Sequence, residues 1–174
     1  MSRVSITSLH DGPAAGFDQP FEMLAACHDR VRRSLDLLQR LHAHVALKGV
    51  DAQAREAAAD VLRYFDRAGP AHHEDEERHV LPRLRAAGLV PLADRLHAEH
   101  GEMTRLWTLL REPLQAWVRG ESSVLASGLL RQYTALYEEH LALEDDQAFT
   151  TACEGLDAAA LARMGQEMAA RRQG

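Results

Sequence analysis

Between residues 72 and 84 the chain reads HHEDEERHVLPRL, three histidines and four acidic residues that run straight into an apolar stretch. Imidazole nitrogens and carboxylate oxygens together form a donor set for borderline metal ions. Whether they can act as one depends on which of them a helix turns inward. A helix advances about 100° per residue, so with His73 at zero Glu77 falls at about 40°, Val80 at about −20° and Leu84 at about 20°. That His and that Glu therefore lie on the apolar stripe. His72 and His79 swing away from it, Glu76 is borderline at about −60°, and Glu74 sits on the flank at about 100°.

The same His-x-x-x-Glu spacing recurs in EEHLALED, where His140 and Glu144 share a face with Leu125, Leu129, Leu136 and Leu143. His28 lies among Phe21, Leu24, Val31 and Leu35, and His100 among Leu96, Met103, Trp107, Leu110 and Leu114. Four helical segments thus each bring one histidine to an apolar face, and two of them add a carboxylate. His97, about 60° from His100, and His42, almost four turns along from His28, are weaker candidates. A single inward histidine is ordinarily a core residue with satisfied ring nitrogens. Four of them with two carboxylates are harder to place that way, because an uncompensated buried Glu costs several kcal/mol or takes up a proton. No inward Lys or Arg pairs with either Glu, and a bound cation removes the cost.

Neutral imidazoles with two carboxylates supply only two negative charges. Two metal ions would need a solvent-derived hydroxide or oxide bridge, or a further carboxylate such as Glu74. A donor set without thiolate suits Fe, Mn or Zn. Iron is preferred, since two ions about 3.5 to 4 Å apart suit redox chemistry with small oxygen species. Other polar residues read as structure: Tyr64, Tyr133 and Tyr137 as packing at a bundle edge, Cys27 as a small buried side chain, and EDEER outside Glu77 as a solvated face.

The elements that position these residues are nearly all helical. Long Ala/Leu/Glu/Arg-rich stretches carry high helix propensity, and no alternating strand pattern or Asn-Gly hairpin occurs. Segment A is expected from about 20 to 47, closed by Gly49 with Asp51 as the next N-cap. Segment B follows from about 52 to 87, kinked at Pro70 and disturbed near Pro82. Segment C spans about 91 to 118 up to Gly120, and segment D about 123 to 150. A short tail helix is capped by Asp157, with Arg171 and Arg172 at its negative end. The expected fold is all-α, an up-and-down antiparallel four-helix bundle with a short extra C-terminal helix. Residues 1–19 read as an arm or loop, 20–150 as the bundle and 151–174 as the tail.

At 174 residues the chain suits one domain with a real core. Two cysteines far apart make no disulfide framework, and no secretory leader pattern opens the chain, so a cytoplasmic location is expected. A net charge of −6 argues against general affinity for nucleic acid or anionic membrane, and no apolar run is long enough to span a bilayer.

These residues resemble the hemerythrin-like, or HHE cation-binding, family over about residues 20 to 150. Its pattern H…HxxxE…H…HxxxE is met by His28, His73 with Glu77, His100, and His140 with Glu144. GPAHHEDEERHVLPRL is similar to the family's HHxxEExxLFP stretch, with Leu81 where Phe is usual. The resemblance implies a bundle around a non-haem diiron centre, two iron ions with an oxo or hydroxo bridge, with Glu77 and Glu144 as bridging carboxylates. The oxygen carriers place two histidines four apart on the third helix, but here Leu96 and Thr104 stand four away from His100. His97 or Glu74 is the alternative that completes the set, and reversible O2 carriage does not simply carry over. The expected function is to bind or sense O2, NO or peroxide at an open coordination position. Turnover of peroxide or NO by the same site, and iron storage or donation, are the competing expectations; the protein partner and the oligomeric state are left open.

Overall fold

The computed structural model describes residues 16–172, and among these there are helices and no strands. Most of the arm at residues 1–19 lies outside the described residues. Helix α1 (Pro20–Lys48) starts with proline in its first turn, where the missing N–H costs nothing, and closes at Gly49, whose φ of 79° is a conformation other residues rarely adopt. The Asp51 carboxylate then accepts from the Ala54 N–H and starts α2 (Ala52–Arg63). A π-type turn over Tyr64–Ala68 leads into α3 (Gly69–His79), and α4 (Leu81–Ala86) follows after Val80. Helix α5 (Val90–Val118) is the third long rod. The fourth is α6 (Ser127–Leu143), a second π-type turn over Glu144–Ala148, and α7 (Phe149–Cys153). Asp157 caps the tail helix α8 (Ala158–Arg171) through the Ala160 N–H.

The rods form a closed ring of packing contacts, α1 on α2, α2 on α5, α5 on α6 and α6 on α1. Inside the ring the core divides into two apolar layers. One contains Val31, Leu38, Phe65, Met103, Leu106, Tyr137 and Leu141; the other contains Leu24, Val80, Leu84, Leu96, Ala148, Phe149 and Met168. Each rod passes from one layer to the other, and between them each deposits polar residues: His28 on α1, His72 and Glu76 on α3, His100 on α5, His140 and Glu144 on the fourth rod. All six are buried. A polar stratum between two dry layers is the plan of the molecule.

Two rods lose helical register beside that stratum. Pro70 cannot donate a hydrogen bond, and the turn before it widens so that the Gly69 N–H reaches the Tyr64 carbonyl five residues back. Asp66 in this turn accepts from Trp107 Nε1 at 2.9 Å and Arg111 Nε at 2.8 Å, which fixes it to α5. The Phe149 N–H likewise reaches the Glu144 carbonyl. Pro82 brings a further interruption: without its N–H the Arg78 carbonyl loses a partner, and the helix breaks at Val80.

No helix among the described residues is long and apolar enough to cross a membrane. Leu106 is fully buried whereas Leu109 is half exposed. Chemical denaturation of Leu106→Ala is expected to show a loss of about 2 to 5 kcal/mol, and Leu109→Ala well under 1 kcal/mol.

Candidate metal centre

The polar stratum contains two donor sets that share their carboxylates. One is His28, His72, Glu76 and Glu144; the other is His100, His140, Glu76 and Glu144. In each set one donor atom per residue lies within 4.8 Å of the others. The two oxygens of each carboxylate divide between the sets. Glu144 Oε2 lies 3.2 Å from His28 Nε2 and its Oε1 3.2 Å from His140 Nε2. Glu76 Oε1 lies 2.8 Å from His72 Nε2 and its Oε2 3.3 Å from His100 Nε2.

Three of the four imidazoles are aimed from behind by a carboxylate. Asp145 holds His28 Nδ1 at 2.7 Å, Glu77 holds His100 Nδ1 at 2.9 Å and Glu99 holds His140 Nδ1 at 2.8 Å. A ring that donates Nδ1–H to a carboxylate presents its Nε2 lone pair inward, the arrangement that orients histidine toward metals. Each of these carboxylates stands next in sequence to a member of the stratum: Asp145 beside Glu144, Glu77 beside Glu76, Glu99 beside His100. Each reaches a histidine on a different rod, so the ties knit the four rods together at the stratum.

The donor atoms themselves are left without partners. His28 Nε2, both nitrogens of His72, and all four oxygens of Glu76 and Glu144 are buried and make no hydrogen bond among the described residues; their close approaches lack donor–acceptor alignment. The Nε2 atoms of His100 and His140 face one another at 3.2 Å, close enough in the metal-free chain for one ring's N–H to donate to the other. Buried polar atoms are almost always satisfied, and each orphan costs about 1 to 3 kcal/mol. An orphaned set of nitrogen and oxygen donors, converging and free of thiolate, fits a bound cation such as iron, manganese or zinc.

Protons partly fill that role in the metal-free chain. Burial opposes charge on His28 and His140, but the nearby carboxylates, Glu144 and Glu76 for His28 and Glu144 and Glu99 for His140, outweigh it and push both up to about 9. Burial also opposes charge on His72, and Glu76 overrides it to raise the ring well above its usual range. Glu76, despite its burial, is held well below the usual carboxylate range by His72, His100 and His28.

Of the residues expected from sequence, His28, His100, His140 and Glu144 come together here, but segment B contributes one residue earlier than expected. His72 and Glu76 take the inward places assigned to His73 and Glu77. Val80 and Leu84 line up with His73 and Glu77 but lie at and beyond the interruption, whereas the buried Val61, Phe65 and Gly69 upstream continue to His72 and Glu76. Within α3 the buried side is His72, Asp75 and Glu76. His73 instead stacks on His100 with ring centroids 4.2 Å apart, and its Nε2 lies 3.5 Å from the Tyr137 hydroxyl. Burial, then the neighbouring His100, push His73 well below the ordinary histidine range. Glu77 supports His100 from behind. Glu74 is half exposed and paired with Arg78 at 2.6 Å, outside both donor sets. His97 is exposed, 3.4 Å from Glu77. Tyr133 and Tyr137 are buried in the core instead of lying at an edge. The supporting roles of Asp145, Glu77 and Glu99 went unread, although the doublets ED, EE and EH carry a trace of them.

Residues 19–152 match the family described as Hemerythrin HHE cation binding domain. A protein of Haemophilus influenzae described as uncharacterized is 32% identical over 161 residues, covering 91% of this chain and 93% of its own length.

Two outcomes follow from the geometry. In titrations of the metal-free chain with Mn²⁺, His72→Ala is expected to weaken binding by about tenfold or more, the scale on which even indirect metal contacts are felt, and His73→Ala far less. Because His28 and His140 hold protons up to about 9, a cation has to displace them. Affinity is therefore expected to rise from pH 6.5 to about 9 and level off above it, with proton release visible by calorimetry in buffers of different ionisation enthalpy. The linked stability has the opposite sign: the raised histidines stabilise the metal-free fold below about pH 6.5, and that contribution is lost as pH rises through about 9.

Proposed function

Since this chain belongs to the hemerythrin HHE cation-binding family, we propose that its buried stratum holds two iron ions as a non-haem diiron centre, inside an up-and-down antiparallel four-helix bundle, and that it binds or senses O2, NO or peroxide. The division of each shared carboxylate between two donor sets carries this reading: Glu76 and Glu144 each turn one oxygen to either side. A single-ion site has no use for that arrangement. Two imidazoles and two carboxylate oxygens per ion leave room for an exogenous ligand, and bound iron supplies a redox-active Lewis acid there.

The chain's own residues favour a small ligand. A cleft of about 270 Å³ lies between α3 and α5, lined by Pro70, His73, Glu77, His97, His100 and Thr104 among others. It leads to His100, a member of the second donor set, whereas His28 on the other side is wholly buried. Leu96, one of the positions where the oxygen carriers have their additional histidine, is fully buried in an apolar layer. The second set is thus poorer in imidazole than in those carriers. His73 favours a second reading, turnover of peroxide or NO: it lines the cleft, stacks on His100 and has the buried Tyr137 hydroxyl 3.5 Å from its Nε2.

Elemental analysis of protein purified without affinity-tag metals is expected to give about two irons per chain, with charge-transfer bands that shift on adding azide or peroxide. Glu144→Gln is expected to lose both ions, because both sets share it. A metal content of one or fewer per chain, or zinc alone with silent spectra, would sink the reading. A steady-state rate with peroxide or NO that depends on His73 would favour turnover over sensing.

A further inference from the structure

The family match ends at residue 152, yet α8 folds back onto the helix that carries His72 and Glu76. Met164 and Met168 anchor it in an apolar layer, and Gly165 lets it approach the Phe17 backbone so closely that a side-chain carbon there would overlap the Phe17 carbonyl oxygen. Its polar side meets α3. Asp75, a wholly buried carboxylate, receives Arg171 Nη2 on Oδ1 and Arg172 Nη2 on Oδ2, the latter at 2.5 Å. Glu167 takes His79 Nε2 at 2.5 Å and Arg78 Nη1 at 3.4 Å.

Helix α3 needs such an anchor. It has only 11 residues between two irregular turns, the π-type turn and the interruption at Val80; the buried spacing of Val61, Phe65, Gly69, His72 and Glu76 runs through the first, whereas Val80 and Leu84 beyond the second line up with His73 and Glu77. Its sequence is also nearly unchanged by a shift of one place. HHEDEE contains His-x-x-x-Glu at 72/76 and again at 73/77, but the shifted register would set the longer Glu76 where Asp75 stands and the apolar Val80 where His79 meets Glu167. A rotation of about 100° separates the two registers.

We propose that Asp75 is a positioning residue and α8 its latch: the Asp75–Arg171–Arg172 ion pair selects the rotation of α3 that turns His72 and Glu76, and not His73 and Glu77, into the stratum. This rests on the two-ion reading only for its effect on metal; the selection of register belongs to the metal-free chain as well. Asp75 stands one residue before Glu76 and three after His72, on the flank of the inward face, so the guanidinium pair pulls tangentially and opposes rotation. Turning Asp75 out would separate its carboxylate from both guanidinium groups and break a fitted two-oxygen pairing.

The test is hydrogen exchange on the metal-free full chain together with metal loss to a chelator from the loaded chain, comparing wild type, Asp75→Asn and Leu106→Ala. In Asp75→Asn the amides of α3 are expected to exchange about tenfold faster or more while those of α1 and α5 keep their rates, and metal loss is expected to accelerate by about tenfold or more. Leu106→Ala, which weakens the fold from the other layer, is expected to leave the ratio of α3 to α5 exchange unchanged. Exchange in Asp75→Asn that equals wild type, or that rises equally in every helix, overturns the latch. Should Asp75→Asn not fold, Arg172→Gln, which leaves Arg171 in place, is read by the same criteria. Wild type without metal would sink the two-ion reading, and the exchange comparison would still decide the latch.

Discussion

Glu76 and Glu144 lie fully buried side by side with histidines, and none of their four oxygens has a hydrogen bond among the described residues. A carboxylate in a dry interior costs several kcal/mol unless something positive meets it, and the rest of the molecule is arranged around that demand. Imidazoles surround the pair, held partly protonated in the metal-free chain and ready to give up those protons to a cation. Two apolar layers above and below keep water away, so the electrostatic terms act at full strength.

The demand explains the ties behind the stratum. A histidine is held with Nε2 inward when its Nδ1 is engaged, and Asp145, Glu77 and Glu99 do this for three rings from neighbouring rods. Position in the bundle and orientation of the donors are thereby set by one set of contacts. Loosening the second, third or fourth rod would misdirect a ring on another.

It also explains why the rods are not continuous. The π-type turn at Glu144 and the one ahead of α3 sit where polar residues must be directed inward between layers that follow ordinary helical periodicity. An added residue in a turn, or a proline break as at Val80, resets the phase locally. Helix α3 is thereby short, and a contact from outside, α8 on Asp75, adds to what holds it.

Much of this was legible in the residues. Helix propensity, the caps at Gly49, Asp51 and Asp157, and apolar spacing determine the helical segments, because those are interactions within a turn or two of chain. The same local spacing brings His28, His100, His140 and Glu144 to the buried side, since α1 and α5 run unbroken past their histidines and the fourth rod departs from α-helical register only from Glu144 onward. Segment B exceeded that reach. HHEDEE offers two similar faces one residue apart, and the flanking stripes disagree: Val61 and Phe65 upstream continue to His72 and Glu76, Val80 and Leu84 downstream point to His73 and Glu77, and Arg171 and Arg172, nearly a hundred residues away, meet Asp75. The sequence by itself determined which residue types would be buried on each helix; the rotation of α3, and with it the identity of a shared carboxylate, was decided by tertiary contacts, because a helix interrupted at both ends takes its orientation from its neighbours.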